Sequence, residues 1–314
     1  MIPTLYLAVP CYNEELVIKE TAKRLKVKLS IMMEKNRISR DSKIVFIDDG
    51  SKDKTWEDIK ILHDADPIFC GIALTRNEGH QNAVLAGLMS VREQADIVIS
   101  LDADLQDDIG VLDDFVKAYQ EGNDIVYGVR SDRKNDGFFK RNTALVFYKI
   151  MKSLGVDIVY NHADYRLMSS RALEGLSEFK EVNLFLRGIV PLVGYKSATV
   201  TYQRKERFAG ESKYPLKKMM KLAVDGITSF SLKPISMISS LGGIMTLVSG
   251  LLFIWMLIAK LAGFSLGGLS SLELSIWCVG GLQLLALGVL GEYIGRIYLE
   301  TKGRPKYIIK EYIK

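Results

Sequence analysis

Cysteine is scarce in this chain. Cys11, Cys70 and Cys278 are the only three in 314 residues, and no two stand in a CxxC pair. That excludes a disulfide framework and the common zinc-binding spacings, and it fits a reducing compartment. Histidine is as rare: His63, His80 and His162 are scattered and suggest no metal-ligand set. There is no GxxxxGK(S/T) and no GxGxxG after the first apolar run, so P-loop and dinucleotide-binding readings lack their fingerprints. The opening "MIPTLYLAVPCYNEE" has no basic segment ahead of its apolar run and turns acidic by Glu14. It reads as a core strand, not a signal peptide. Internal repeats and low-complexity tracts are also missing.

Positive charge is present but uneven. The formal net charge is +5, yet residues 1–195 carry 26 Lys/Arg against 30 Asp/Glu. Residues 196–233 carry nine against three, and the stretch after Gly291 carries six against three. A nucleic-acid ligand would require a basic face on the folded domain itself, so none is expected. The basic residues instead flank two apolar segments. Pro234–Ala259 is 26 residues without a charge. As a helix at ~1.5 Å per residue it is long enough to cross a hydrocarbon core of ~30 Å. Leu274–Gly291 adds 18 uncharged residues, for which a buried soluble helix is the alternative. The pair, joined through "GFSLGGLSS", predicts a membrane hairpin. The Lys/Arg-rich outer flanks put both termini and the N-terminal domain in the cytoplasm, so the expected location is the cell (plasma) membrane, multi-pass.

The first ~200 residues alternate apolar runs with helical patterns. "TLYLAVP", "KIVFIDDG", "FCGIALT", "DIVISLDAD" and "DIVYGVR" read as strands, with amphipathic or apolar helical stretches between them. This predicts an α/β fold with a mainly parallel sheet covered on both faces. Ligands bind such sheets beyond the carboxyl ends of the strands. There lie "CYNEE", "DDGSKD", "TRNEGHQN" and "DADLQDD". Asp102 and Asp104 end the fourth strand pattern, and in extended backbone residues i and i+2 share a side. Two converging carboxylates suit Mg²⁺ or Mn²⁺ between them, with Gln106 as a neutral oxygen donor. A solvated acidic strand end is the plainer alternative. "HDADP" (His63–Pro67) repeats the spelling at a helix end before a proline, so it carries no such weight. Asp48 and Asp49 can also serve as turn or cap residues.

Taken in order, "VPCYNEE", "IDDGSKDKT", "LDADLQD", "GVR", "DYRL" and "RFAGESKY" resemble the family 2 glycosyltransferases of the GT-A fold. More closely they resemble the polyisoprenyl-phosphate glycosyltransferases, which include dolichyl-phosphate mannose synthases and bactoprenyl-phosphate glucosyltransferases. The resemblance implies a cytoplasmic GT-A domain over 1–210 and a juxtamembrane amphipathic segment over 211–232. It implies two transmembrane helices within 233–292 (about 234–259 and 271–293) and a basic tail over 294–314. It further implies an inverting transfer of one sugar from a UDP-sugar, glucose or N-acetylglucosamine, to undecaprenyl (polyprenyl) phosphate, with Mg²⁺ or Mn²⁺ as cofactor. The lipid bilayer is then a partner, and family analogy suggests a homo-oligomer. By the same resemblance Pro10, Tyr12, Asn13, Glu14, Asp49, Asn82 and Asp102 would line the nucleotide-sugar site. Asp104 and Gln106 would hold the metal. Asp102, Asp104, Arg130 and Arg166 would form the catalytic set, and Arg207 and Lys213 would meet the acceptor phosphate. Many relatives carry one or two prolines after the acidic motif, where this chain reads "DLQDDIG". Two other readings remain: a processive polysaccharide synthase, whose QxxRW motif is missing around Trp56, Trp255 and Trp277, and a non-catalytic membrane scaffold or lipid carrier.

Overall fold

A computed structural model describes residues 2–131, 162–181, 186–203 and 269–314, with scattered positions between 235 and 262. Arg207, Lys213, the 211–232 segment and most of the first apolar run lie outside the described residues.

The expected alternation is present. Strands β1 (Leu5–Cys11), β2 (Lys43–Asp48), β3 (Phe69–Leu74) and β4 (Ile97–Ser100) are separated by helices α1 (Ile18–Glu34), α2 (Thr55–Ala65) and α3 (His80–Val91). α4 (Leu112–Gln120), β5 (Ile125–Arg130), β6 (His162–Ser169), α5 (Ser170–Ser177), α6 (Leu186–Leu192) and β7 (Ser197–Tyr202) follow. α7 (Leu269–Thr301), which contains the second apolar segment, and β8 (Ile309–Ile313) come last. Among the described residues the sheet has eight strands in the order β7-β5-β6-β4-β1-β2-β3-β8.

β1 pairs in parallel with β2 on one side and β4 on the other, and β2 pairs in parallel with β3. β5 and β7 are also parallel, whereas β6 runs antiparallel between β4 and β5. Strand order therefore reverses between β1 and β4. Their diverging connections leave a crevice beyond the carboxyl ends, the usual ligand position in open α/β sheets. Both faces are apolar, as the unbroken runs in β1 to β4 require. Ile18, Leu25, Leu29 and Met32 of α1, Ile59 of α2 and Phe115 of α4 cover one face. Ala83, Val84 and Leu88 of α3, Leu173 of α5 and Ile189 of α6 cover the other.

Two features depart from the sequence expectation. The fourth strand stops at Ser100, and residues 101–108 form a turn-rich loop with Leu105 at φ 59. Asp102 and Asp104 are thus not an extended i, i+2 pair, and a folded loop brings them together. The second is the end of the chain, which the sequence suggests only as a basic tail. Its β8 pairs antiparallel with β3 and completes one sheet edge. Trp56 Nε1 donates to Glu311 Oε2 at 3.3 Å, and Lys306 Nζ donates to the Phe179 carbonyl at 3.0 Å.

Candidate functional site

The site is built where β1, β2 and β4 end. After β1, Asn13 takes a left-handed φ of 52, which asparagine tolerates better than most residues. Its amide donates to Ser51 Oγ at 2.9 Å, and its side-chain oxygen accepts from the Lys52 amide at 2.8 Å. The Glu14 amide donates to Thr55 Oγ1 at 2.9 Å. Asn13 and Glu14 are thus laced to the segment after β2, with Tyr12 beside them and Pro10 buried within β1. Pro10 is in register with Ile47.

The two aspartates of that loop have different tasks. Asp48 accepts from the Ser51 amide and closes the turn. Both oxygens of Asp49 point across to the next loop: Oδ1 accepts from the Glu78 amide at 2.7 Å and Oδ2 from the Gly79 amide at 3.0 Å. Burial pushes both carboxyls above their ordinary range, and these amide donors pull back against it. Gly50 lets the loops meet. Its φ is +64, and a Cβ there would stand 2.5 Å from the Arg76 backbone carbon. Asn82 lies one turn into α3, and its amide nitrogen donates to the Glu78 carbonyl at 2.9 Å.

At the end of β4 the negative charges gather. Asp104 is buried, and its Oδ1 accepts from the Gln106 amide at 3.1 Å. Asp102 keeps about a third of its side chain exposed (35%). Burial raises the Asp102 carboxyl above its ordinary value; His80 opposes this, while Asp104 and Asp164 add to it. Asp107, which stands in the variant "DLQDDIG" stretch and outside the expected site set, is buried at the centre. Its Oδ1 accepts from the Tyr202 hydroxyl at 2.6 Å, and its Oδ2 faces the Asp102 amide at 3.5 Å. Burial, reinforced by Asp102, pushes this carboxyl up to about 6. Arg130 Nε reaches the Tyr202 hydroxyl at 3.4 Å, so the end of β5 joins the same network.

The arginine expectation needs one correction. Arg166 is not placed as a substrate contact: its side chain is 2% exposed on β6, an interior strand of the sheet. Nη2 pairs with Asp164 Oδ1 at 3.0 Å, and Nη1 donates to the Leu186 carbonyl at 3.3 Å. A cation so enclosed anchors Asp164 and cannot turn outward without leaving that carboxylate partly unpaired. Arg187, unmarked by any motif, takes the accessible position. It grips Asp164 through Nε and Nη2 at 3.1 and 3.0 Å and is 34% exposed. Burial alone would raise the Asp164 carboxyl, but Arg187 and Arg166 override it and hold it well below the usual carboxylate range.

His80 completes the cluster. Its Nε2 stands 3.6 Å from Asp102 Oδ1 and 3.7 Å from Asp164 Oδ2. Its signal was readable, since "EGHQN" is one of the four polar clusters at strand ends. Tyr202 and Arg187 carried none, because an aromatic at a strand end and a lone arginine are ordinary.

Residues 6–176 match the sequence family described as Glycosyl transferase family 2. The chain belongs to glycosyl transferase family 2. Its similarity to curated members extends far beyond that segment. It is 53% identical over 98% of its length to the Bacillus subtilis protein named uncharacterized glycosyltransferase YkoT, covering 91% of that protein. It is 42% identical over 97% of its length to the SfII prophage-derived bactoprenol glucosyl transferase of Shigella flexneri, covering 97% of it. It is 41% identical over 97% of its length to the prophage bactoprenol glucosyl transferase homolog of Escherichia coli, again covering 97%. This family 2 glycosyltransferase is therefore an enzyme with the GT-A architecture, its acidic loop at the switch point of the sheet.

The loop fits a divalent cation. Asp104 and Gln106 offer hard oxygen donors, and Asp102, Asp107 and Asp164 supply negative charge that a cation would offset. Among the described residues no three His, Cys, Asp or Glu side chains form a complete metal cage. An ion there would fill its remaining positions with phosphate oxygens and water.

Proposed function

We propose that this enzyme transfers one glucose from UDP-glucose to a polyprenyl phosphate, undecaprenyl phosphate, at the membrane surface, with inversion at the anomeric carbon. The observation that carries the reading is the full-length similarity to proteins named bactoprenol glucosyl transferases, combined with an acidic loop at the strand-order reversal.

Pro10, Tyr12, Asn13 and Glu14 would flank the nucleoside. Asp49 keeps acceptor capacity for a base N–H, because each carboxylate oxygen has a second lone pair. Asn82 would face the ligand from the start of α3. Asp104 and Gln106 would hold Mg²⁺ or Mn²⁺, with Asp102 beside them. Such an ion stabilises the departing diphosphate. Arg130, held by Tyr202, would orient a phosphate, for which a guanidinium fork is well shaped. A phosphate acceptor is already ionised near neutral pH, so its oxygen can attack the anomeric carbon without a strong protein base. Arg207 and Lys213 lie just ahead of the apolar segments, where a lipid phosphate must be met.

Membrane attachment is part of this reading. α7 has 33 residues, about 50 Å at ~1.5 Å each. Its part Val279–Thr301 has a window of mean hydropathy 1.2 and is almost wholly unburied. Leu284, Leu287 and Ile294 are exposed along it. β8 follows α7 directly and pairs with the catalytic sheet, which brings the carboxyl end of α7 back to the catalytic side. If α7 crosses a bilayer, the chain between 203 and 269 must cross it too, and Pro234–Ala259 is apolar enough to do so.

The test uses membranes containing the protein, radiolabelled UDP-glucose, and added undecaprenyl phosphate. Label should enter the organic phase only when lipid phosphate is present, and excess UDP should suppress it. Label that stays aqueous, or that follows GDP-mannose instead, would overturn the acceptor or the donor assignment respectively.

A further inference from the structure

His80 has no assigned task, yet it occupies the open side of the charged cluster. Its Nε2 stands 3.6 Å from Asp102 and 3.7 Å from Asp164, beyond the ~2.7–3.2 Å of a direct N–H···O bond. The three side chains are 31%, 35% and 20% exposed, so their shared gap opens to solvent. The walls of the gap are fixed. Asp164 is clamped by the two nitrogens of Arg187 and by Arg166. The start of α3 is tied to α6, where Gln81 Oε1 accepts from the Leu186 amide at 2.8 Å. Carboxylate oxygens stand on two sides of Nε2, the surroundings that suit the tautomer with its N–H on that nitrogen.

The gap therefore offers one donor and two anionic acceptors around a single point. A phosphate oxygen has no proton to give and would be repelled by both carboxylates. A hydroxyl satisfies the arrangement, because it donates to one carboxylate while accepting from Nε2. We propose that His80, Asp102 and Asp164 form a subsite that reads a hydroxyl of the transferred sugar, which makes His80 a specificity-determining residue. This rests on the glycosyl-transfer reading above and deepens it. Asp102 is the hinge of the arrangement, since it borders the metal-binding residues on one side and this gap on the other. Arg166 and Arg187 act through Asp164 and are positioning residues.

The experiment uses the full chain in detergent with Mg²⁺ and measures affinity by calorimetry. The ligands are UDP, UDP-glucose, its epimer UDP-galactose, and UDP-glucose analogues each lacking one sugar hydroxyl. The parent should bind one deoxy analogue roughly 10-fold or more weaker than UDP-glucose, the usual effect of losing a hydrogen bond to a charged group. In His80→Ala that difference should shrink several-fold, with UDP affinity unchanged, because the bond to Nε2 is lost while the donation to a carboxylate remains. His80→Gln, which keeps an N–H donor, should restore part of the difference. Two results would overturn the subsite: no deoxy analogue distinguished by the parent, or the parent's difference undiminished in His80→Ala. If the parent binds no nucleotide sugar at all, the failure lies with the glycosyl-transfer reading itself.

Discussion

Replacing Tyr202 by Phe tests how the acidic loop is held. Tyr202 is buried at the end of β7, and its ring lies edge-on to Tyr165 at 5.3 Å. Phe keeps that ring and leaves no cavity, so packing is conserved. What disappears is one hydroxyl, which donates to Asp107 at 2.6 Å and meets Arg130 Nε at 3.4 Å. Asp107 is already driven up to about 6 by burial, so it loses a donor where water is scarce. Hydrogen bonds to charged groups contribute roughly 1.5–3 kcal/mol. If that preference holds residues 101–108 and Arg130 in the arrangement seen here, its loss lowers the ordered population by at most about 10- to 150-fold, at 1.4 kcal/mol per tenfold. The kcat/KM for polyprenyl phosphate should fall within that range at saturating UDP-glucose. The affinity for UDP, whose proposed contacts lie around Asn13 and Asp49, should change less than about twofold. Circular dichroism should match the parent. Asp107→Asn should produce a comparable loss, because an amide can still accept from Tyr202 but the ionised partner of Arg130 is gone. Parent-like kinetics in both variants would refute the idea that this network organises the site.

Asp104→Asn should abolish most transfer while leaving the fold intact, chelation should do the same to the parent, and added Mg²⁺ or Mn²⁺ should restore only the parent; full activity in chelator would remove the metal from the account. Arg207→Ala and Lys213→Ala should each weaken use of polyprenyl phosphate by roughly 10- to 150-fold, the worth of one charge-assisted hydrogen bond. Calorimetric titration with UDP should find both variants unchanged, and a loss of UDP affinity would move this segment to the donor site. In a Cys278→Ser background Cys11 and Cys70 should resist a thiol reagent at pH 7.5 until the protein unfolds, because both are enclosed and burial pushes their thiols up. Rapid labelling of the native protein would show that the crevice near Cys11 opens.

The parallel core was legible because its strands are buried on both faces, and continuous apolar runs such as those of β1 and β2 announce that burial directly. The place of the candidate site was marked too, by polar clusters that follow the strand patterns. The shape of the acidic loop was not. Asp102 and Asp104 were expected on one side of an extended strand, whereas the chain leaves the strand at Ser100 and turns through Leu105 at positive φ. Nothing in "LDADLQDD" marks a leucine for that conformation. The misplacement of Arg166 has a related cause. Alternation along β6 puts Asp164 and Arg166 on one side, but only the packing of α6 shows that Leu186 closes over the guanidinium. β8 escaped notice because "IIKEYI" at a basic terminus is short, and its pairing partner lies more than two hundred residues away. Contacts of such separation leave no local pattern to read.

The lipid product itself is the most direct test of the account. The full-length protein would be incubated with UDP-glucose, undecaprenyl phosphate and Mg²⁺, and the extracted lipid examined by mass spectrometry. A single new species, the acceptor carrying one hexose, is the predicted result, and it should be missing with Asp104→Asn. A ladder of species carrying several sugars would point to a processive synthase, and an unmodified acceptor in the presence of donor, metal and folded protein would contradict the central claim.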